Sequence, residues 1–128
     1  MINELKKYAE NLSEVYSLEQ EMGQYQYLID IGNKSPSFSK DEQNEINKMF
    51  GCQAQVWIIS KIDKDRFYFR GDSDAAIVKG LVQIITEALS VHTKEEISDI
   101  KDNAVNSLDN MLVFNPFSKS SICLFKSF

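Results

Sequence analysis

Cys52 is the residue of this 128-residue sequence whose type and setting most directly suggest covalent chemistry. It stands in the run Gly51, Cys52, Gln53, Ala54, Gln55, Val56, Trp57, at the turn joining a weak strand-like segment to a strong one. A thiol becomes a nucleophile when deprotonated, which a nearby Lys, Arg, protonated His or helix N-terminus favours. The nearest cation in sequence is Lys48, so the local sequence supplies little activation. Gly51 frees the backbone for torsions other residues avoid and leaves the thiol uncrowded, while Gln53 and Gln55 offer uncharged hydrogen bonds. The competing reading is a small apolar side chain tucked under a turn, where free cysteines commonly sit.

The other reactive side chains are better explained by structure. His92 is the sole histidine, so a cysteine hydrolase would have to pair it with Cys52 across a helix; a surface histidine at a helix exit is the plainer account. Two cysteines and one histidine at these separations lack the short paired spacing of a metal site, and no metal is expected. Cys123, in the apolar run Ser121 to Phe125, reads as packing rather than as a resolving thiol. Asp72 and Asp74 precede a helical pattern, where carboxylates stabilise the positive end of the helix dipole, and they would oppose thiolate formation if the fold brought them near Cys52.

The elements that must position Cys52 follow from hydrophobic periodicity. Leu5, Tyr8, Leu12, Val15 and Tyr16 predict an amphipathic helix from Asn3 to about Gln20. A second helical segment runs through Met22, Tyr25, Leu28 and Ile29, with Gly32 and Asn33 placed for a left-handed C-terminal cap. The polar stretch from Asn33 to Asn47 reads as a surface connection. Three strands are expected: Ile46 to Phe50 weakly, then Gln55 to Ile62 and Arg66 to Arg70, joined by a turn at Asp63, Lys64 and Asp65. Trp57 and Ile59 alternate with Val56 and Ile58, which makes the Gln55 to Ile62 strand the central one.

Asp72 and Ser73 are the expected N-caps of the main buried helix, marked by Ile77, Val78, Leu81, Val82, Ile84, Ile85, Ala88 and Leu89. Thr93 and Glu96 form a capping-box pattern that opens a short helix, and Ala104 to Leu112 repeats the helical period. The expected class is α+β, a small three-stranded antiparallel sheet covered by helices. With 43% hydrophobic residues and no dividing linker, residues 1–128 are expected to form one domain. The absence of a long uncharged apolar run or a secretory pattern, together with two distant cysteines, predicts a reduced, cytoplasmic setting without a membrane span. A net charge of −5 and scattered Lys and Arg make nucleic acid a poor partner.

The run Gly51 to Trp57, followed by Arg70, Gly71, Asp72, Ser73, Asp74 and on through Leu81, resembles the two signature blocks of the SufE sulfur-acceptor family. Tyr27 to Gly32 resembles that family's preceding helix end. The resemblance implies a two-layer sandwich shared with cluster-assembly scaffold proteins such as IscU, and a persulfide carried on Cys52. It also implies sulfur donation by a pyridoxal-phosphate cysteine desulfurase, SufS or its CsdA paralogue, stimulation of that enzyme, and delivery to a SufBCD scaffold. The carrier itself would need no cofactor, since thiol exchange needs none. Gly51, Gln53, Gln55 and Asp74 become the expected loop-support and partner-contact residues around Cys52, with a monomer or weak homodimer as the expected state. The expected loop swings on docking, a movement eased by Gly51. Asn115 to Ile122 departs from the family's Ser, Pro, Ser, Arg-like run and holds no arginine, and Lys119 does not supply a planar fork. A noncovalent regulatory module for a desulfurase is the alternative reading.

Overall fold

The computed structural model describes residues 3–49 and 54–99. Cys52, Gly51, Gln53, Cys123 and the helical pattern at Ala104 to Leu112 lie outside those residues. The described elements are α1 (Asn3–Lys34), β1 (Val56–Asp63), β2 (Arg66–Ser73) and α2 (Ala76–Leu89).

α1 is two helices joined at Gln20, whose φ of 60° and ψ of −147° are non-helical. The halves fold back on one another: Asn11 Nδ2 donates to the Tyr27 hydroxyl at 3.0 Å, and buried Gln24 Nε2 donates to Leu12 O at 3.2 Å. In a straight helix, residues 11 and 27 would stand ~24 Å apart. The fold-back is tight at Gly23, where a Cβ would lie 2.7 Å from Val15 O. Gln20 occupies a backbone region that essentially only glycine visits without strain, at a cost of about 1–3 kcal/mol. Gln20→Gly is therefore expected to raise stability by about 1 kcal/mol after the entropy glycine loses on folding. An unchanged or lower urea midpoint would contradict the strained elbow.

Gly32 is not a left-handed cap. α1 continues to Lys34, and Gly32 is small because a Cβ would meet Ala76 O at 2.9 Å. Gly80 lies closer still, with a Cβ position 2.1 Å from Leu28 O. These two glycines let the second half of α1 cross α2 backbone to backbone. Val82, about 160° around α2 from Gly80, packs instead on Gly71 of β2. α2 thus touches α1 and the sheet on different faces, which is why Val78, Leu81, Val82, Ile84, Ile85, Ala88 and Leu89 are all buried. Together with Leu12, Leu28, Val56 and Ile97 they form the core.

β1 and β2 pair antiparallel from Val56↔Ser73 to Asp63↔Arg66. The turn residues Lys64 and Asp65 both have positive φ, at 49° and 67°, the handedness that matches the twist of a two-residue hairpin. Among the described residues the sheet has two strands, not the expected three. The Ile46 to Phe50 segment contributes one bridge, Lys48↔Trp57, with Met49 N–H donating to Val56 O (2.8 Å) and Ile58 N–H to Asn47 O (2.9 Å). Residues 40–47 form turns and bends and Ile46 is 94% exposed, so extended pairing begins only at Lys48, beside Met49, which packs on the core.

The far edge of β2 is partly closed by Val91 and His92, which the sequence marks only as a helix exit. Phe67 N–H donates to His92 O (2.9 Å), and Val91 N–H, in a residue with φ 67°, donates to Phe67 O (2.7 Å). The Thr93 capping box forms as expected: Thr93 N–H reaches Glu96 Oε1 at 3.0 Å, and Glu96 N–H reaches Thr93 Oγ1 at 3.3 Å. These bonds, Thr93 N–H foremost, hold the Glu96 carboxyl below its usual range. The helical turn that they open spans 94–99.

Candidate functional site

The structure fixes both ends of the run that contains Cys52. On the N-terminal side, Met49 is tied to Val56 through the Lys48 bridge. On the C-terminal side, the Gln55 backbone makes three bonds. Its N–H donates to Asp74 Oδ1 (3.0 Å), while its carbonyl accepts from Ser73 Oγ (2.7 Å) and Asp74 N–H (3.2 Å). The pairing Val56↔Ser73 sets this clasp in register, because it places the residues just before β1 opposite the end of β2. Of the sequence-selected residues, Gln55 and Asp74 are thus brought together, and both are solvent-exposed.

Asp72 and Ser73 are not caps of α2. Both belong to β2, and the N-cap position is Ala75, which makes no side-chain cap bond. Their carboxyl and hydroxyl groups are instead spent on tertiary contacts. Asp72 is 2% exposed and accepts Phe38 N–H on Oδ2 (2.9 Å) and Ser73 N–H on Oδ1 (2.8 Å), while Lys79 Nζ faces Oδ1 at 3.4 Å. Gln43 Nε2 adds a longer bond to Oδ2 at 3.4 Å. This buried carboxylate straps the 35–43 stretch over the sheet and buries Phe38, which corrects the reading of Asn33 to Asn47 as mere surface.

The strap has a second fastening that the sequence reading missed. Ser39 N–H donates to Glu42 Oε1 (3.0 Å) and Glu42 N–H to Ser39 Oγ (3.2 Å), a reciprocal capping box. The Ser-x-x-Glu spacing was its available signal. Glu42 also accepts from Arg70 Nη2 at 2.7 Å, and this bond, aided by Ser39, lowers the Glu42 carboxyl from its usual range. Arg70 stacks over Phe38 at 5.2 Å, so the guanidinium joins strap and strand.

His92 lies elsewhere. Its backbone bridges Phe67, and its Nδ1 sits 3.4 Å from Glu96 Oε2. Phe67 and Ser73 are six strand residues apart, ~20 Å, so His92 and the Gln55 clasp stand near opposite ends of β2. Of the pair that a cysteine hydrolase would need, the described residues include His92 alone. Among the described residues no group of three or more His, Cys, Asp or Glu side chains could hold a metal ion, and no helix is long and apolar enough to cross a membrane.

If the clasp holds the end of the Cys52 run, Asp74→Ala leaves Gln55 N–H without its acceptor. Hydrogen exchange at the Gln55 amide is then expected to accelerate about tenfold, the equivalent of ~1.4 kcal/mol of lost local protection. An amide that exchanges at the wild-type rate would show that Asp74 does not secure it.

These elements define an α+β protein: helices packed on an antiparallel hairpin, with a thiol-bearing run entering and leaving at the hairpin's clasped base. Residues 9–112 match the SufE family, described as an Fe-S metabolism associated domain, and the chain belongs to that family. A relative from Rhizobium etli, described as an uncharacterized SufE-like protein, is 36% identical over 78 residues. The matched segment covers 58% of this chain and 53% of the relative, so the chain spans about half the length of that protein.

Proposed function

We propose that the chain is a sulfur acceptor and carrier that takes sulfur onto Cys52 from a pyridoxal-phosphate cysteine desulfurase of the SufS or CsdA type. The carrier also stimulates that enzyme and delivers the sulfur to a SufBCD-type cluster-assembly scaffold in the cytoplasm. The observation that carries the reading is membership in a family associated with Fe-S metabolism, with Cys52 inside the matched span. The clasped flanks support it, because a run anchored at both ends can be offered to a partner without disturbing the core.

In the transfer step, the Cys52 thiolate attacks the outer sulfur of the donor's persulfide. The donor's S–S bond breaks, its thiolate leaves, and a new S–S bond forms on Cys52, with no net oxidation or reduction. Gly51 eases movement of the run, and Gln53 offers a neutral hydrogen bond beside the sulfur. The asymmetry between the cysteines gives the test. Incubation with desulfurase and cysteine, followed by intact-mass measurement, is expected to show a gain of about one sulfur atom that is lost in Cys52→Ser and kept in Cys123→Ser. A gain that depends on Cys123 alone would refute the assignment. A Cys52→Ser protein that still stimulates the desulfurase, where the wild type gains no sulfur, would make the chain a noncovalent regulator.

A further inference from the structure

The elbow of α1 combines features that its role in the core does not require. Leu18 and Met22, on either side of the strained Gln20, are 74% and 71% exposed. They adjoin a groove of about 230 Å³ whose lining includes Val15, Gly23 and Tyr27, with Glu19 and Asp30 also contributing. From residue 8 to residue 33 the sequence has no Lys or Arg, but carries Glu10, Glu14, Glu19, Glu21 and Asp30. A folded chain does not gain by holding two large apolar side chains in water beside a backbone residue in a costly conformation.

We propose that this elbow is a docking surface for a basic amphipathic helix of a partner protein. Leu18, Met22 and the groove floor take the partner's apolar stripe, and the carboxylates pair with Lys or Arg at its margins. Charge decides against nucleic acid and anionic lipid as occupants, because phosphate groups are repelled by a surface of this sign. The surface lies away from the Gln55 clasp. Gly32, which meets α2 at Ala76 next to the clasp, is twelve helical residues from Gln20, ~18 Å. A partner seated at the elbow therefore stays clear of the Gln55 clasp.

The probe is a synthetic peptide of about eighteen residues with Leu at i, i+3, i+4 and i+7 spacing and Lys elsewhere, compared with its Leu/Glu counterpart. Titrated into the isotope-labelled full chain, the Lys peptide is expected to shift amide signals of residues 14–30 and leave those of residues 60–70 unmoved. Its binding should weaken about tenfold in Leu18→Ser/Met22→Ser. Glu19→Gln/Asp30→Asn should weaken it less at high salt than at low salt, since the screened part is already lost. Both variants alter exposed or groove-edge positions, and a retained circular-dichroism melt confirms folding. Shifts confined to other surfaces, equal binding of the Glu peptide, or affinity unaffected by Leu18→Ser/Met22→Ser would overturn the proposal. Self-association that disappears in Leu18→Ser/Met22→Ser, with residues 14–30 unmoved by the Lys peptide, would assign the elbow to a second copy and overturn it as well.

Discussion

Gly80→Ala is expected to lower stability by about 3 kcal/mol or more, the largest effect of any single methyl addition in the described fold. The new Cβ would lie 2.1 Å from Leu28 O, 2.7 Å from Leu28 C and 3.0 Å from Leu28 Cα. All three are backbone atoms inside a helix, so no rotamer change relieves the overlap. Either α1 and α2 separate, opening the core between them, or α1 loses hydrogen bonds around Leu28. Gly71 makes the instructive contrast: its Cβ would meet Val82 Cγ1 at 2.3 Å and Ile58 Cδ1 at 2.8 Å, side-chain ends that can turn away in part. Gly32 would be milder still, with Ala76 O at 2.9 Å. Urea unfolding of the three alanine variants should rank Gly80 as most damaging and Gly32 as least. A Gly80→Ala midpoint equal to wild type would mean that the helices do not cross there.

Asp72→Ala is expected to cost about 3 kcal/mol. Its carboxylate is buried among the N–H groups of Phe38 and Ser73 and the Lys79 ammonium, and removing it strands all three at once. Lys79 keeps one bond, to Ser37 Oγ at 2.7 Å, and 15% side-chain exposure, which holds the loss to the lower end for a broken buried pair. Asp72→Asn preserves an acceptor for the N–H groups while removing the charge, so it should cost roughly half as much. The double variant Asp72→Ala/Lys79→Met should recover part of the loss, because a buried ammonium without its partner is worse than no ammonium. Additive losses in that cycle would show that the carboxylate and the ammonium do not interact. Loss of Asp72 should also release the strap, seen as faster exchange of the Phe38 amide.

Both positions sit in the block from Arg70 to Leu81 that drew attention by resemblance, yet neither role could be read from it. In sequence, Asp72 looks like a helix cap because a carboxylate before an apolar period usually is one. It lies in β2 because the pairing Trp57↔Asp72 continues the hairpin to Ser73, and strand hydrogen bonds hold the chain extended until Ala75. Gly32 likewise looks like a cap, since glycine near a helix end commonly is. Its size is demanded instead by α2, whose proximity no local pattern announces. The expected third strand is reduced to one bridge among the described residues for a related reason: Ile46, at its start, is exposed and lies in a turn, so pairing begins only at Lys48.

By itself, the sequence determined what depends on near neighbours along the chain: the break close to Gln20, the hairpin turn before Arg66, the Thr93 capping box and the wide apolar stripe of α2. Periodicity and turn chemistry act over a few residues and leave their marks there. Only the tertiary structure decided how Gln55 is held by Ser73 and Asp74, how Asp72 gathers Phe38 and Lys79, and why Gly80 must lack a side chain. These contacts join segments remote in sequence, and their energy comes from burial and from satisfying polar groups removed from water, quantities that exist only once the chain has closed on itself.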